Sequence, residues 1–190
     1  MHDNGLNVSI RLSETKSALV ENSFRENCME HSETRLSASQ QMWSQLIFFF
    51  LAVKQNCAEL YKSGQRKNGI YTIDPDGLGS FDVFCDQKTA GGGWTVFQKR
   101  LDGSVDFQRG WNDYKRGFGS LKGEFWLGLD KINRLTKTKS RLRVELEDTQ
   151  GNTAYADYDF FAVSSENTKY KMSLGTYSGE ISLRAIHHWI

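Results

Sequence analysis

The sequence has no excess of charge of either sign. Its 190 residues include 24 Lys and Arg against 23 Asp and Glu, which leaves a formal net charge of +1. Proteins that attract nucleic acids or anionic membranes through their overall field carry a strong basic bias. We therefore expect no nucleic-acid partner, and any anion-binding surface has to be local.

Histidine is scarce, and its positions argue against catalysis. The four histidines are His2, His31, His187 and His188, so none lies within residues 32–186, where all of the globular patterning is found. A Ser-His-Asp, Cys-His or His-based metal site needs an imidazole inside the fold. His187 and His188 are neighbours, whose side chains point apart in regular structure. We expect no catalytic residue, no cofactor and no metal site in this chain.

Cysteine is also sparse, and its spacing does not suit a metal. Cys28, Cys57 and Cys85 form no C-x-x-C pair of the kind that zinc ribbons and thioredoxin-type redox sites contain. A bridge between Cys57 and Cys85 would stabilise the chain by about 3 to 4 kcal/mol in an oxidising compartment. Two free buried thiols in a cytosolic protein are the alternative. Because the number is odd, Cys28 is a candidate for an intermolecular disulfide.

No apolar run is long enough to span a membrane. The run LIFFFLAV covers residues 46–53 only, whereas a transmembrane helix takes about 20 residues. The first 20 residues lack the apolar core of a signal peptide. Residues 42–53 would form a compact signal core if translation began at Met42, although a positive n-region is missing. A buried helix segment is the alternative.

The patterning divides the chain into a leader and a domain. Residues 1–55 are rich in Ser, Glu, Asn and Thr and keep neither a helical nor a strand period for long, which predicts a leader that is partly helical or disordered. From Asn56 onward, helices and antiparallel strands alternate, which predicts an α+β domain. The expected helices are one from a capping box at Asn56 and Glu59 to Gly64, one at 111–118 and one that starts at Leu129. The expected strands are 81–85, one that starts at Trp94, and a hairpin of 141–147 with 154–158. We expect a turn at 74–77 and a tight hairpin turn at Asp102-Gly103.

Three consecutive glycines, Gly91 to Gly93, precede Trp94 and raise the question of a phosphate-binding loop. Such loops have the patterns G-x-x-x-x-G-K-[ST] or G-x-G-x-x-G and lead into a helix. Here the glycines lead into a strand, and no Lys-Ser or Lys-Thr pair follows in register. We expect a bend where the backbone adopts positive φ or passes close to another group.

Pairs of carboxylates are the remaining catalytic candidates. Glu145 and Glu147 share a strand face, as do Asp157 and Asp159. Salt-bridged or solvated strands explain such spacing far more often than a glycosidase pair does. The segment Asp74-Pro75-Asp76-Gly77 begins like a calcium loop, but the later ligands of such a loop are missing, so we expect a turn.

Two further patterns concern surfaces. Aromatic side chains are concentrated between residues 94 and 126, where they could form a platform for bases or sugars, but core packing is their usual role. Asn7-Val8-Ser9 is the single N-glycosylation triplet of the chain and predicts carbohydrate on Asn7.

The order of motifs over residues 56–179 resembles that of a fibrinogen C-terminal-like domain. The resemblance rests on the segments 56–60, 69–73, 84–86, 92–100, 102–107, 117–119, 124–129, 142–146, 153–156, 170–175 and 177–179, with Trp111, Tyr114 and Tyr158 between them. The middle stretch is most similar to ficolin-type and related secreted lectins. The resemblance implies a twisted, mainly antiparallel sheet with a few short helices, and it implies that Cys57 and Cys85 form the first disulfide of the domain.

The same resemblance implies a secreted or cell-surface recognition module and no enzyme. Our main interpretation is a recognition module descended from lectins that bind acetylated sugars in innate immunity, with the ligand site missing in this chain. The expected partner is an extracellular glycan or protein receptor. Receptor ligands of the angiopoietin kind and matrix proteins of the tenascin kind belong to the same family and are the alternative. A homo-oligomer linked through Cys28 fits either interpretation.

The sequence departs from the family pattern after Gly179. The family continues into a calcium loop, a second disulfide and the ligand pocket, whereas residues 180–190 form a divergent tail. The resemblance therefore implies an incomplete domain that lacks the ligand site and the calcium loop. It also implies that one strand of the central sheet is missing, which would leave unpaired ladder groups. A non-functional truncated product is a further alternative.

Overall fold

The structure, a computed structural model, describes residues 7–14 and 53–180. The predictions for the thiol of Cys28, the signal core at residues 42–53 and the tail from residue 181 lie outside these ranges, apart from Val53. Within them, the α-helices are α1 (Cys57–Lys62), α2 (Trp111–Arg116) and α3 (Leu129–Leu135), and 3-10 turns cover Thr89–Gly91 and Glu166–Thr168. The strands are β1 (Asn7–Glu14), β2 (Gly69–Ile73), β3 (Phe81–Asp86), β4 (Trp94–Arg100), β5 (Phe118–Gly119), β6 (Phe125–Trp126), β7 (Ser140–Glu147), β8 (Thr153–Val163), β9 (Met172–Leu174) and β10 (Tyr177–Gly179).

All of these strands belong to one sheet in the order β10-β8-β7-β1-β4-β3-β2. β6 pairs with β4 and β5, and β9 pairs with β8. Every pairing is antiparallel. The predicted fold class, an α+β domain with a mainly antiparallel sheet and short helices, is confirmed.

The prediction of a helical or disordered leader is wrong for residues 7–14. This segment is strand β1, and it lies at the centre of the sheet between β4 and β7. Its alternating residues Val8, Ile10 and Leu12 are too few to outweigh the polar residues around them in a sequence window. Strand formation here depends on distant partners, since Val8 pairs with Arg100 and with Leu146. In the described residues, β1 makes the sheet continuous between β4 and β7.

The core lies against one face of β1. Val8, Ile10 and Leu12 are at most 3% exposed and belong to the same buried cluster as Ile132 of α3 and Leu142 of β7. Burying an aliphatic side chain of this size contributes about 1.5 to 3 kcal/mol. The register of β1 is therefore well defined, because a slip by one residue would turn these three side chains to the opposite face.

The local patterns after residue 54 correspond closely to the structure. Asn56 caps α1 by accepting a hydrogen bond from the Glu59 amide at 2.9 Å, and the Glu59 carboxylate in turn accepts one from the Gln55 amide. β7 and β8 form the predicted hairpin. The predicted hairpin at Asp102-Gly103 is wrong: β4 pairs with β1, β3 and β6, and residues 101–110 lead to α2 instead.

Candidate functional site

The cysteines of the described region form a structural bridge. Cys57 at the start of α1 and Cys85 in β3 are joined by a disulfide with their Cα atoms 5.5 Å apart, and both residues are fully buried. This is the pair that the family resemblance implied. The bridge ties the first helix to the sheet and leaves no thiol for chemistry in this part of the molecule.

The three glycines form a bend and no ligand site. All three have positive φ, between 78° and 90°. A Cβ on Gly92 would lie 2.5 Å from Cε2 of Tyr61 and 2.6 Å from the carbonyl oxygen of Gln87. The Gln87 side chain accepts a hydrogen bond from the Gly93 amide at 2.9 Å. The glycines therefore bring the chain close to α1 and start β4, and their amides do not form a phosphate cradle.

The Asp74–Gly77 turn is neutralised by arginine and lysine. Nη2 of Arg134 on α3 donates to Oδ1 of Asp76 at 2.6 Å and lies 3.3 Å from Oδ1 of Asp74, and Lys137 donates to Asp76 at 2.7 Å. The bonds from Arg134 lower the pKa of Asp76 to about 2 against the opposing effect of burial. The Gly77 amide also donates to Oδ1 of Asp74 at 2.9 Å, so the prediction of a turn agrees with the geometry.

Glu145 of β7 and Asp157 of β8, one member of each predicted carboxylate pair, belong to a row of ion pairs that crosses the sheet. Nη1 of Arg11 donates to Glu145 at 2.5 Å, and Nε of Arg11 lies 3.3 Å from Oδ2 of Asp86. Arg143 donates to Glu145 at 2.7 Å and to Asp157 at 2.8 Å. We call these five residues the charge ladder. Every carboxylate in it is paired with an arginine, so it matches the salt-bridged interpretation and provides no free general acid or base.

Three residues of the charge ladder, Arg11, Asp86 and Glu145, line a groove of about 220 Å³ on the sheet. Lys99 and Asn7 also line it. Burial acts to raise the pKa of Asp86, but hydrogen bonds from Thr89 and Lys88 and the charge of Arg11 hold it below its ordinary value. The groove is thus internally neutralised. Glycosylation of Asn7 stays a prediction, at a position that the structure places on a strand instead of a surface loop.

A buried carboxylate that the sequence did not single out organises the loop after β4. Glu124 is 1% exposed and accepts hydrogen bonds from the backbone amides of Leu101, Asp102, Gly103 and Val105 at 2.6 to 3.0 Å. Burial raises its pKa, but these bonds outweigh that effect and the pKa lies below its ordinary value. Nothing in the spacing of Gly123-Glu124-Phe125 indicates burial, so this role could not be read from the sequence.

Most rings of the predicted aromatic cluster are buried or half-buried and contact one another. The ring centroids of Phe107 and Phe118 are 4.8 Å apart, and those of Tyr114 and Trp126 are 5.5 Å apart. The Trp126 indole donates to the carbonyl oxygen of Tyr114 at 2.7 Å. The core interpretation holds for Trp94 and Phe125, which are 1% exposed, whereas these four rings are half-buried. Trp111 is the exception, since 54% of its surface is exposed.

Trp111 is part of an exposed apolar surface. Its ring centroid lies 5.8 Å from that of Tyr170, whose hydroxyl is hydrogen-bonded to Asp130. Met172 and Leu174 follow on β9 and are 42% and 38% exposed. They share one face of the strand because their side chains alternate with Ser173. We call the exposed Trp111, Met172 and Leu174, together with the buried Tyr170 that supports the Trp111 ring, the Trp111 surface.

An ion pair and the free edge of strand β9 border the Trp111 surface. Lys115 lies one helical turn after Trp111 and donates to Glu166 at 2.7 Å, which places an ion pair beside the apolar residues. In the described part of the chain, β9 pairs with β8 alone, so its other edge has no strand partner. Exposed tryptophan with a polar rim is typical of protein interfaces, and a free strand edge can pair with another chain.

Across residues 7–14 and 53–180, no three His, Cys, Asp or Glu side chains are grouped so that they could hold a metal ion. In the same ranges, none of the helices combines the length and hydrophobicity that crossing a bilayer demands.

Sheet order, disulfide and motif order together define a fibrinogen-type globular domain. The family model of the C-terminal globular domain of fibrinogen beta and gamma chains matches residues 53–187. The chain belongs to this family, as the resemblance in the sequence implied.

Three individual proteins illustrate which members of this family the chain is similar to. Angiopoietin-related protein 7 from Mus musculus is 41% identical over 179 residues, covering 85% of this chain and 53% of that protein. Fibroleukin from Homo sapiens is 50% identical over 129 residues, covering 67% of this chain and 29% of that protein. The solved fibrinogen-like globe domain of human ANGPTL6 is 41% identical with a TM-score of 0.66, covering 70% of this chain and 60% of that one. The chain spans about half or less of the length of the curated relatives that it matches.

Proposed function

We propose that this chain is an extracellular recognition module that binds a protein partner, as a receptor ligand or matrix protein does, through the Trp111 surface. The observation that carries the proposal is the exposed Trp111, whose ring contacts Tyr170, together with the exposed Met172 and Leu174 that follow Tyr170 on the edge strand β9. Isolated exposed apolar residues are common on soluble proteins, but a contiguous group with an aromatic anchor marks an interaction site.

The relatives favour a protein partner over a sugar. Their names refer to angiopoietin-related proteins and to fibroleukin, which fits the receptor-ligand alternative better than our main interpretation of a lectin. Apolar side chains on an edge strand also suit an extended peptide or a flat protein surface, since backbone hydrogen bonds and side-chain contacts act together there. Sugar binding and a role in innate immunity remain predictions without support from these relatives.

The disulfide bears on the compartment of the protein, and the charge ladder bears on whether it is an enzyme. The buried bridge between Cys57 and Cys85 suits an oxidising compartment, where such bonds persist. We propose that the protein is extracellular and has no enzymatic activity, since the carboxylates of the charge ladder are all paired with arginine. Independence from calcium and other cofactors is part of the proposal for this chain.

Binding of the whole chain to cell-surface proteins tests the proposed function. The chain is secreted from cultured cells, labelled, and applied to cells that each display one receptor ectodomain, with and without calcium. Trp111→Ala and the pair Met172→Ser with Leu174→Ser are compared with Leu78→Ser. Leu78 is a matched control because it is 72% exposed but belongs to the turn between β2 and β3.

We expect saturable binding to a displayed ectodomain that both Trp111-surface variants weaken at least about tenfold, as the loss of an interface anchor does. Leu78→Ser should bind like the unmodified chain. Equal weakening by Leu78→Ser would refute the assignment of the surface. Binding that N-acetylglucosamine abolishes would refute the protein partner and restore the lectin interpretation.

A further inference from the structure

The two residues that flank β9 show which way its backbone groups point. The Ser164 amide donates to the carbonyl oxygen of Lys171 at 3.0 Å, and the Gly175 amide donates to that of Phe160 at 2.8 Å. Both bonds run to the side of β9 on which β8 lies. Residues that bond to a given neighbour alternate along an antiparallel strand. Ser173, midway between the flanking residues, therefore also bonds to β8, in the register that the strand pairing shows.

Met172 and Leu174 point their backbone groups the other way. Because they alternate with Ser173, their amides and carbonyl oxygens face the edge of β9 that has no strand partner in the described ranges. Both residues are exposed, and their side chains lie on one face of the strand. The edge thus offers two donors and two acceptors beside two apolar side chains. A peptide that adds a strand to a sheet uses this combination of groups.

Lys171 adds a positive charge at one end of this edge. Its side chain lies on the opposite face from those of Met172 and Leu174, because neighbouring residues of an extended chain alternate. Lys171 is exposed, and among the described residues it takes part in no salt bridge. Opposite charges that face each other across two paired strands are favourable. A segment that pairs with β9 should therefore place a carboxylate opposite Lys171.

A second copy of β9 does not meet this requirement. When two copies pair in antiparallel register about the central residue Ser173, Met172 lies opposite Leu174 and Lys171 lies opposite Gly175. Lys171 then faces no carboxylate across the strands. The charge at this edge favours a segment of another protein over a second copy of the chain.

We propose that the free edge of β9 binds an extended peptide segment of a partner protein by strand addition, with the pattern apolar-any-apolar-acidic. In antiparallel register, the two apolar residues lie opposite Leu174 and Met172, and the acidic residue lies opposite Lys171. Backbone hydrogen bonds supply affinity in this mode of binding, and alternate side chains supply specificity. The inference rests on the proposed function, since it gives the partner of the Trp111 surface a conformation and a sequence pattern.

Titration of the whole ¹⁵N-labelled chain with a short peptide tests the proposal by NMR. The probe is Thr-Val-Thr-Val-Glu-Thr, blocked at both ends, in which the valines take the two apolar positions. The amides of the valines face β9, whereas the amide of the threonine between them faces solvent. A probe N-methylated at the second valine therefore loses its hydrogen bond to the Met172 carbonyl oxygen. A probe N-methylated at the middle threonine is the matched control.

We expect the unmodified probe to bind with a Kd of about 1 mM or below and to shift the Met172 and Leu174 amide signals more than that of Ser173. N-methylation of the second valine should weaken binding at least about fivefold, and N-methylation of the middle threonine less than about twofold. Lys171→Glu should weaken binding about threefold, and a probe with lysine in place of glutamate should recover it.

Three results overturn the proposal. They are the absence of any shift at about 5 mM probe, equal binding of the two N-methylated probes, and a dimer that protects the Met172 and Leu174 amides without the probe. Failure of the proposed function is a separate result, in which the probe binds through β9 but no displayed ectodomain binds the chain. An ectodomain that depends on Trp111 while the probe does not bind would show that the partner presents a folded surface instead of a strand.

Discussion

The two halves of the sheet on either side of β1 are stabilised in different ways. The first half, β2 to β6, carries the disulfide between Cys57 and Cys85, the glycine bend at 91–93 and the buried carboxylate of Glu124. The second half, β7 to β10, consists of one long hairpin and two short strands, with Met172 and Leu174 exposed on β9.

This difference indicates that the two halves of the domain have different roles, one mainly in stability and one in binding. Covalent and buried polar contacts stabilise the first half, which also exposes apolar side chains such as Leu78 and Trp111. The second half presents apolar side chains and a strand edge to solvent, as binding surfaces on a rigid scaffold commonly do. β1 pairs with β4 of the first half and with β7 of the second. The first half can therefore stabilise the second only while β1 stays in the sheet.

Removing the disulfide should have the largest effect on the first half. Replacing Cys57 and Cys85 by serine should lower the free energy of unfolding by about 3 to 4 kcal/mol, because the bridge closes a loop in the unfolded chain. Urea unfolding monitored by tryptophan fluorescence measures the change. Cys28→Ser leaves this bridge intact and serves as the control. A loss below about 1 kcal/mol would mean that the covalent link does not distinguish the halves.

The same substitution, glutamate to glutamine, can be made in each half, at Glu124 in the first and at Glu166 in the second. Glu124→Gln should cost about 2 to 3 kcal/mol, since a buried carboxylate that accepts four amide hydrogen bonds loses its charge. Glu166→Gln in the second half should cost less than about 1 kcal/mol, because its ion pair with Lys115 is exposed. Thermal unfolding at neutral pH measures both. Equal costs would contradict the comparison.

Acid should weaken the attachment of the Asp74–Gly77 turn to α3. The pKa of Asp76 is about 2 in the folded chain against 3.8 ordinarily. A lowered folded pKa contributes stability above the unfolded value, and that stability is lost as the pH falls from about 4 to about 2. The loss amounts to about 2 kcal/mol at most. Asp76→Asn should remove this part of the pH dependence of unfolding, and an unchanged acid profile would show that Arg134 does not hold the carboxylate.

The smallest change in stability is expected at the exposed edge of the second half. Met172→Ser with Leu174→Ser should alter the free energy of unfolding by about 0.5 kcal/mol or less, as surface substitutions do. Leu142→Ala, at a buried site on β7, should cost about 2 to 5 kcal/mol. Urea unfolding of both variants measures the contrast. A large loss from the edge variant would show that Met172 and Leu174 stabilise the fold instead of serving a partner.

Local signals allowed much of the domain to be predicted from the sequence. The alternation of Leu142, Val144 and Leu146 predicted a half-buried strand, and the cap at Asn56 predicted the first helix. Both depend on neighbours within a few residues. The order of motifs also indicated the family. These patterns work because backbone preference and solvent exposure act over a single turn or strand.

Features that depend on distant contacts were missed. β1 reads as part of a polar leader because its partners, β4 and β7, begin more than 80 residues later. Glu124 looks like any surface glutamate until the loop after β4 folds over it. The apolar residues of the Trp111 surface look like core residues, since sequence alone does not show which face of β9 another strand covers. In each case the deciding energy is a non-local pairing or burial.

Hydrogen exchange of the whole chain tests most directly whether residues 7–14 complete the sheet. After digestion and mass spectrometry, the amides of the peptide containing Ile10 and Leu12 should exchange as slowly as those of β4 and β7, because each edge of β1 is paired. Exchange of residues 7–14 at the rate of an unstructured peptide, while β4 and β7 stay protected, would contradict the account.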